Sequence, residues 1–520
     1  MMSSLIEKWI RTQLGVDTRD GYASLKTRIQ GLGINPTGLS ADSRMIEKGD
    51  LFFAYPGHDN DGRKFIKEAV MKGCEGVIWE SDIPRFDKEI PIPNFGFPSV
   101  RSLVGCYAND FFGEPSQDLQ VFAVTGTNGK TTCVSWLAEA LSLLGVSSAS
   151  IGTLGIRVAD VDSAPLHSLN EWTTPDPISL QRALSDLVKL RIRAVALEAS
   201  SHALDQDRLN GTRIQVAIFT NLSRDHLDYH GDFETYGRAK LKLFARHEIQ
   251  QAVINADDDF GVKLGKALRN MGRSVLSYGI HSNESDLRIQ NFAQSLHGTK
   301  IDLVTPWGDA RLHVQFFGEF NLKNLLAVMG ALLSCGYDFP SVCNVVEKLR
   351  SPEGRLQRVG ENDKRYVFVD YAHTPEALAE VLTALKALKN AKSKLITIFG
   401  AGGDRDKGKR TEMGSIVAHA SDKTIVTSDN PRFESLSQII KDLVESDPKK
   451  FIVEEDRHAA IELGLKSMSE GDILLIAGKG HEKYQLIGEK KIPFDDVQIV
   501  DDLLKTIPCP LQNLGPSGHV

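Results

Sequence analysis

The sequence predicts an α/β protein of about three domains, and three observations carry that expectation. Its 520 residues amount to about three times the roughly 150 residues of a typical domain. The apolar run Val121-Phe-Ala-Val-Thr125 leads through a loop bounded by Gly126 and Gly129 into Lys130, Thr131 and Thr132. Apolar residues then recur at helical spacing, at Val134, Leu137, Ala138, Leu141 and Leu144. Further along, short apolar runs end repeatedly in polar clusters with helical stretches between them, the pattern of a mostly parallel sheet.

A strand, a glycine-bracketed loop and a helix make an anion site. Backbone N–H groups at the helix N-terminus and the helix dipole both favour negative charge. Gly126 and Gly129 let the backbone approach phosphate oxygens, with Thr127 and Asn128 between them. Lys130 is placed to neutralise β/γ-phosphate charge, and a hydroxyl of Thr131 or Thr132 to ligate Mg²⁺. Val124 stands where the commonest phosphate loop has its first glycine. The competing reading is a tight turn with a surface lysine.

The segment 1–115 mixes short apolar runs with turns. Ser40-Ala-Asp-Ser-Arg44 precedes a strand-like run ending at Pro56-Gly57, His58-Asp-Asn-Asp-Gly-Arg63 leads into a helical stretch, and Gly76-Val-Ile-Trp79 reads as another strand. Taken alone, Ser43, Arg44 and His58 read as solvated loop residues. Pro91, Pro93, Pro98 and Gly113-Glu-Pro115 mark a linker. A central domain is expected over 116–352. There Ala194-Val-Ala-Leu197 runs into Glu198-Ala-Ser-Ser-His202, and Val216-Ala-Ile-Phe219 into Thr220-Asn-Leu-Ser-Arg-Asp-His226. A third domain is expected over 353–508. Its strand-like runs end at Asp370-Tyr-Ala-His373, Gly402-Gly-Asp-Arg-Asp406, Asp429-Asn-Pro-Arg432 and Gly478-Lys-Gly-His-Glu482. Residues 509–520 form a Pro/Gly-rich tail. Ligands gather outside the carboxyl ends of parallel strands. Two such edges suggest a cleft with a nucleotide on one wall and a second substrate on the other.

Composition narrows the class further. Apolar and charged fractions of 41% and 25% are ordinary for a soluble globular protein, and a net charge of -7 argues against nucleic-acid binding. Six cysteines lack metal-ligand spacing and read as reduced, mostly buried thiols of a cytoplasmic protein. No signal peptide is visible, and no apolar run approaches the roughly 20 residues of a membrane span. Beside a phosphate loop, Glu198 is a natural Mg²⁺ ligand, although alone it reads as a capping or ion-paired carboxylate. His226 is a weaker candidate, because Mg²⁺ prefers oxygen.

Together these motifs resemble the ATP-dependent Mur ligases over nearly the whole chain. The resemblance rests on Thr125-Gly-Thr-Asn-Gly-Lys-Thr-Thr132, Glu198-Ala-Ser-Ser-His202, Thr220-Asn-Leu-Ser-Arg-Asp-His-Leu-Asp228, Gly318-Glu-Phe-Asn-Leu-Lys-Asn324, Asp370-Tyr-Ala-His373 and Asp429-Asn-Pro-Arg432. It is strongest toward members that add the third residue of the peptidoglycan precursor peptide. It implies a small N-terminal α/β UDP-binding domain, a central ATPase domain with a phosphate loop, and a C-terminal Rossmann-like domain that closes over the amino acid. The family's shortened loop accounts for Val124.

Site residues follow from the same resemblance. Ala41, Ser43, His58, Asp59 and Asn60 match positions contacting the uridine part, and Thr173, Thr174, Ser200, Gln206 and Arg208 those holding the sugar-peptide. Trp172 stands where some members carry Asn, which leaves that contact open. Asn321, Arg355, Asp370 and His373 match nucleotide contacts. Lys240 matches the lysine that is carbamylated in the family to ligate a second Mg²⁺. From the residues alone it reads as one exposed face of a charged helix, with Lys242 as a competing candidate.

The implied reaction is phosphorylation by ATP of the terminal carboxylate of UDP-MurNAc-L-Ala-D-Glu, then amine attack on the acyl phosphate. Lys130, Glu198, His226 and Lys240 are its implied catalytic residues. Asp429, Asn430, Pro431 and Arg432 accompany meso-diaminopimelate in the family, whereas lysine-adding relatives lack the arginine. An arginine fork pairs bidentately with the second α-carboxylate that lysine does not have. Arg405, Gly478 and Glu482 match the remaining contacts, Glu482 suiting the distal ammonium. The expected protein is a cytoplasmic monomer that uses Mg²⁺ and ATP.

Overall fold

The computed structural model describes residues 2–14, 19–58, 60–81, 90–159, 173–360 and 365–507. The chain divides into two compact units, Met1–Arg288 with Leu326–Val345, and Ile289–Leu325 with Val346–Val520.

The first unit contains two sheets. Gly38–Ser40, Asp50–Ala54, Gly76–Glu80 and Asn94–Phe97 lie parallel in chain order. Helix Val100–Phe111 covers this sheet with Val100, Leu103, Val104 and Ala108. The proline-marked segment is therefore not all linker. Pro93 and Pro98 bracket a strand, where the missing N–H is tolerated, and the turn through Gly113 and Glu114 makes the connection.

The central sheet has the order Val275–Gly279, Gln251–Asn255, Val216–Phe219, Gln120–Thr125, Ala194–Glu198, Ser148–Gly152 and Gly155–Val158. Only the last of these pairings is antiparallel. These strands read as nearly unbroken apolar runs because both faces are covered. Val121 and Ala123 face one buried core together with helices Pro177–Lys189 and Asp259–Asn270. The first helix, Met2–Leu14, joins that core through Ile6 and Ile10, and the carbonyl of Leu14 meets the His247 ring at 3.0 Å. It thus packs on the central sheet, not on the sheet that follows it in sequence.

The two sheets of this unit are joined backbone to backbone. A Cβ on Gly105 would sit 2.2 Å from the Asn210 carbonyl oxygen. Arg101 donates to the Asp205 carbonyl, Asn210 to that of Ser102 and Arg182 to that of Leu39.

In the second unit, Gly298–Thr305 and Gly308–Val314 form an antiparallel hairpin. The main sheet has the order Gln357–Val359, Tyr366–Asp370, Ile473–Ala477, Leu395–Phe399, Lys423–Val426 and Phe451–Val453. It is parallel apart from its first strand. Phe368 points into a core with helices Pro375–Leu388, Arg410–Ala420 and Leu436–Val444, while Val367 and Val369 point to the opposite core with Arg457–Lys466. Helices on both faces of a parallel sheet bear out the α/β expectation. No helix among the described residues is long and apolar enough to cross a membrane. Of the five described cysteines, all free thiols, only Cys74 and Cys133 are buried, fewer than expected.

Candidate active site

In the first unit, the carboxyl ends of Gln120–Thr125, Ala194–Glu198 and Val216–Phe219 lie side by side, and each ends in one of the polar clusters. The loop after Thr125 is held by the cluster after Phe219. Thr127 N–H donates to the Asn221 carbonyl (3.0 Å) and Asn128 N–H to Asn221 Oδ1 (2.9 Å). The Asn128 carbonyl accepts from Thr220 Oγ1 at 2.6 Å. Gly126 is required here: its φ is +155°, and a Cβ would lie 1.8 Å from Thr220 Oγ1. The Thr127 and Asn128 amides are committed within the protein, and helix Lys130–Leu143 begins directly after this loop. The N-terminal turn of a helix favours an anion through its N–H groups and dipole. Gly126→Ala should weaken ATP binding more than tenfold, measured by titration calorimetry, while leaving the UDP-nucleotide affinity unchanged.

Two lysines converge on this loop. Lys130 Nζ donates to the carbonyls of Gly126 (2.9 Å) and Thr127 (2.8 Å). Lys240 Nζ donates to the same Gly126 carbonyl at 2.7 Å and lies 4.3 Å from the centre of the Tyr236 ring. Lys240 is 1% exposed, so the reading of an exposed helix face fails. Helix Phe233–Phe244 is amphipathic, and position 240 falls among Tyr236, Gly237, Leu241 and Phe244 on its buried side. Burial holds the Lys240 ammonium well below the ordinary lysine range, and nearby Lys130 lowers it further. Lys242 lies elsewhere, donating to the Asp205 carbonyl (2.9 Å) and pairing with Asp205 and Asp207.

Glu198 is 1% exposed, and its carboxylate accepts from the N–H (2.8 Å) and hydroxyl (3.2 Å) of Thr153. Its carbonyl accepts from Thr174 Oγ1, which also reaches Ser200 Oγ at 3.2 Å. Arg208 donates to the Thr174 carbonyl (2.8 Å) and to Gln206 Oε1 (2.6 Å), and Thr153 Oγ1 lies 3.4 Å from Thr173 Oγ1. Thr173, Thr174, Ser200, Gln206 and Arg208 are thus brought together beside Glu198. Tyr229, which the sequence did not single out, completes the group. It accepts from Gln206 (3.0 Å), donates to Asp205 (2.9 Å) and stacks on His202 and on His58. Ser43 donates to Glu68, half-buried Ala41 packs against the N-terminal sheet's core, and the Asn60 carbonyl closes a turn with Gly57. Asp59 and Trp172 lie outside the described residues.

His226 has φ +53° and sits 4.8 Å from His202 in an edge-to-face pair. Burial pushes both imidazoles down to about 4, so both are neutral at pH 7. The unfolded chain takes up these protons near pH 6.5, whereas the fold resists them until about pH 4. The stabilising difference is therefore complete above pH 6.5 and is lost as the pH falls through that window. His202→Gln should flatten the fall in urea-denaturation midpoint between pH 7 and pH 4.5.

Mg²⁺ fits these residues by donor chemistry. Glu198 offers carboxylate oxygens and Thr131 a hydroxyl, the hard ligands that Mg²⁺ takes alongside water and substrate phosphate. Lys240 fits only as a carbamate, since an ammonium has no lone pair to give. Among the described residues no cluster of three or more His, Cys, Asp and Glu forms a ready metal cage.

In the second unit, Arg355, Asp370 and His373 gather around Tyr371. The Arg355 guanidinium lies 4.5 Å from the Tyr371 ring centre, and the His373 ring 4.6 Å from it. Asp370 accepts from the N–H groups of Leu356 (2.6 Å) and Ala372 (2.7 Å), fixing both loops. Burial raises its carboxyl, with Arg355 opposing. Asn321 donates to the carbonyl of Phe317 at 3.0 Å, and the Phe317 ring packs edge-on against Phe368 in the strand that ends at Asp370.

The remaining three strand ends meet as expected. Arg457, fully buried against Asp496, donates to the carbonyls of Ser428 (3.2 Å) and Ala477 (3.1 Å), pinning the strand ends before Asp429 and Gly478. Arg432, with φ +52°, donates to the Gly403 carbonyl at 2.8 Å. Gly403 itself lies under Pro431, where a Cβ would fall 1.9 Å from the carbonyl oxygen. Gly478 has φ +114°, and its missing Cβ leaves room for Asp429 Oδ2. Asn430 donates to Glu482 at 2.8 Å. Arg405 is exposed on the same loop as Gly403.

Three family models match the chain: Mur ligase family, catalytic domain over residues 35–93, Mur ligase middle domain over 124–332, and Mur ligase, glutamate ligase domain over 354–480. A UDP-N-acetylmuramoyl-L-alanyl-D-glutamate–2,6-diaminopimelate ligase of Chromobacterium violaceum is 41% identical over 92% of this chain and 96% of its own length. The chain belongs to the Mur ligase family. A ligase of the same name from Pseudomonas aeruginosa is 41% identical over 88% of this chain and 93% of its own. A solved structure with that name aligns with a TM-score of 0.66 at 36% identity, covering 91% of this chain and 95% of the other. Folylpolyglutamate synthase of Mycobacterium tuberculosis shares the fold, with a TM-score of 0.60 at 18% identity over 73% of this chain. Mur ligases are ATP-dependent amide ligases that use Mg²⁺, and this chain shares their three-domain α/β architecture.

Proposed function

We propose that this Mur ligase joins meso-diaminopimelate to UDP-MurNAc-L-Ala-D-Glu in peptidoglycan precursor synthesis, with ATP cleaved to ADP and phosphate. The observation that carries the reading is a set of adjoining strand ends on which Asn430 donates to Glu482 and Arg432, two residues on, rests on the Gly403 carbonyl. A guanidinium and a carboxylate on neighbouring strand-end loops are the complement of an amino acid whose far end carries both a carboxylate and an ammonium. The relatives named for diaminopimelate support the same substrate.

A carboxylate oxygen of the dipeptide attacks the γ-phosphorus of ATP, the bond to ADP breaks, and an acyl phosphate forms. The amine nitrogen of diaminopimelate then attacks the acyl carbon, phosphate leaves, and the nitrogen loses a proton. In this proposal Gly126, Thr127, Asn128, Gly129, Lys130, Thr131 and Thr132 hold the triphosphate, with Lys130 turning from its loop carbonyls to the transferring group. Asn321, Arg355, Asp370 and His373 serve the rest of the nucleotide. Thr173, Thr174, Ser200, Gln206 and Arg208 orient the peptide, and Ala41, Ser43, His58, Asp59 and Asn60 the uridine. Asp429, Asn430, Pro431, Arg432, Arg405, Gly478 and Glu482 hold the amino acid.

Thr131, Glu198, His226 and carbamylated Lys240 would hold Mg²⁺, which when bound supplies positive charge between two anionic substrates. Because burial favours its neutral amine, Lys240 can attack CO₂. A C–N bond forms, a proton leaves to solvent, and the side chain becomes an anion. We place the enzyme in the cytoplasm as a monomer, with domains at 1–115, 116–352 and 353–508. The test is phosphate release from the purified enzyme. It should require UDP-MurNAc-L-Ala-D-Glu, ATP and meso-diaminopimelate together, and release with L-lysine at an equal rate would overturn the substrate assignment.

A further inference from the structure

The amino-acid pocket is built around a cation that the site as described does not use. Lys479 is fully buried, with Nζ 3.1 Å from Asn430 Oδ1, 3.1 Å from Glu482 Oε2 and 4.0 Å from Asp429 Oδ1. The Tyr484 ring lies 5.7 Å away. Leu486 N–H also donates to Asn430 Oδ1, at 2.9 Å, while Asn430 Nδ2 donates to Glu482 Oε2. Two donors on Oδ1 and a carboxylate at Nδ2 leave the amide one orientation. Flipped, it would set its NH₂ against an ammonium and its oxygen against a carboxylate. Both bonds to Glu482 go to Oε2, and Oε1 takes neither.

We propose that Lys479 is a positioning residue for amino-acid selectivity, locking the Asn430 amide and one oxygen of Glu482 so that the other oxygen meets the ammonium of the incoming diamino acid. Asp429, Glu482 and Lys479 together carry one net negative formal charge, the complement of a single ammonium. Without Lys479 Glu482 loses its ion-pair partner, Asp429 loses a cation 4.0 Å away, and the amide is unlocked. The pocket then attracts cationic amino acids in general, and the fixed match to a zwitterionic far end is lost. This inference rests on the diaminopimelate reading above.

The test uses the full-length enzyme. In Lys479→Gln the KM for meso-diaminopimelate should rise at least tenfold and the preference over L-lysine should fall. The KM values for ATP and UDP-MurNAc-L-Ala-D-Glu should stay within about twofold. In a Glu482→Gln background, Lys479→Gln should add less than twofold, because the two act through one another. An unchanged diaminopimelate KM, an equal decline for all three substrates, or an equal effect in both backgrounds would each overturn the proposal. If Lys479→Gln does not fold, Lys479→Arg decides. It keeps the charge and should hold the preference for diaminopimelate within threefold, and loss of that preference counts against the proposal. The wild-type control separates the two levels. Wild type that prefers L-lysine sinks the substrate reading, whereas a normal wild type with an indifferent variant sinks only the role of Lys479.

Discussion

Lys240→Ala should lower kcat by about 10²–10³-fold, the scale set by removing one fixed electrostatic partner from a transition state, while the protein stays folded. A buried amine with one carbonyl partner at 2.7 Å is an expensive group to keep for stability alone. Two readings of the side chain predict different things. If Lys240 serves as a cation that steadies the loop through the Gly126 carbonyl, Lys240→Arg should retain much of the activity. If it serves as a carbamate, Lys240→Arg should be as inactive as the alanine variant, because guanidinium does not take up CO₂ under these conditions. Small carboxylic acids should then partly restore Lys240→Ala by placing oxygens in the vacated space. The pH dependence follows from the direction of the lysine's shift. Its neutral form is favoured in the fold, and acid removes that form, so wild-type activity in CO₂-depleted buffer should fall as pH falls and recover when bicarbonate is added. Full activity in Lys240→Ala, read by phosphate release, would end the carbamate hypothesis and leave the ligase reading intact.

Arg432→Ala should raise the KM for meso-diaminopimelate by about 30–150-fold, since a charge-assisted hydrogen-bonded pair contributes about 2–3 kcal/mol. The KM for L-lysine should change little, because lysine has no second α-carboxylate for the guanidinium to hold. Selectivity between the two therefore collapses while chemistry at the phosphoryl group continues, and the KM for ATP stays where it was. Arg432 rests on the Gly403 carbonyl at 2.8 Å, a neutral acceptor that a carboxylate displaces at low cost. Its left-handed backbone, held by the bond from Arg432 N–H to the Leu486 carbonyl, aims the side chain before any substrate arrives. Initial rates against each amino acid, with the other substrates saturating, measure this. An Arg432→Ala enzyme that still rejects L-lysine as strongly as wild type would show that selectivity lies elsewhere in the pocket.

The sequence made the α/β class legible because parallel strands buried on both faces leave uninterrupted apolar runs, as at Val121–Val124 and Ile473–Ala477. Strand ends were equally legible, since polar clusters stop those runs. Three things were hidden. Lys240 looked exposed because a charge in an amphipathic helix is assigned to solvent unless something outside the helix asks for it. Here the carbonyl of Gly126, 114 residues earlier, does so. Tyr229 and Lys479 were passed over within motifs already quoted or adjoining them, because their importance lies in holding other side chains in place. Position in a motif does not reveal that. The first helix marks its destination with Ile6 and Ile10, flanked by the half-buried Trp9 and Leu14, and such a short apolar stripe does not say which sheet it will cover.

Mass spectrometry of the nucleotide product, with meso-diaminopimelate and L-lysine present at equal concentration, shows which amino acid the enzyme adds. A diaminopimelate-adding ligase extends UDP-MurNAc-L-Ala-D-Glu almost entirely by diaminopimelate, with one ADP and one phosphate formed per product. A product extended mainly by lysine, or phosphate release without an extended nucleotide, would contradict that reading.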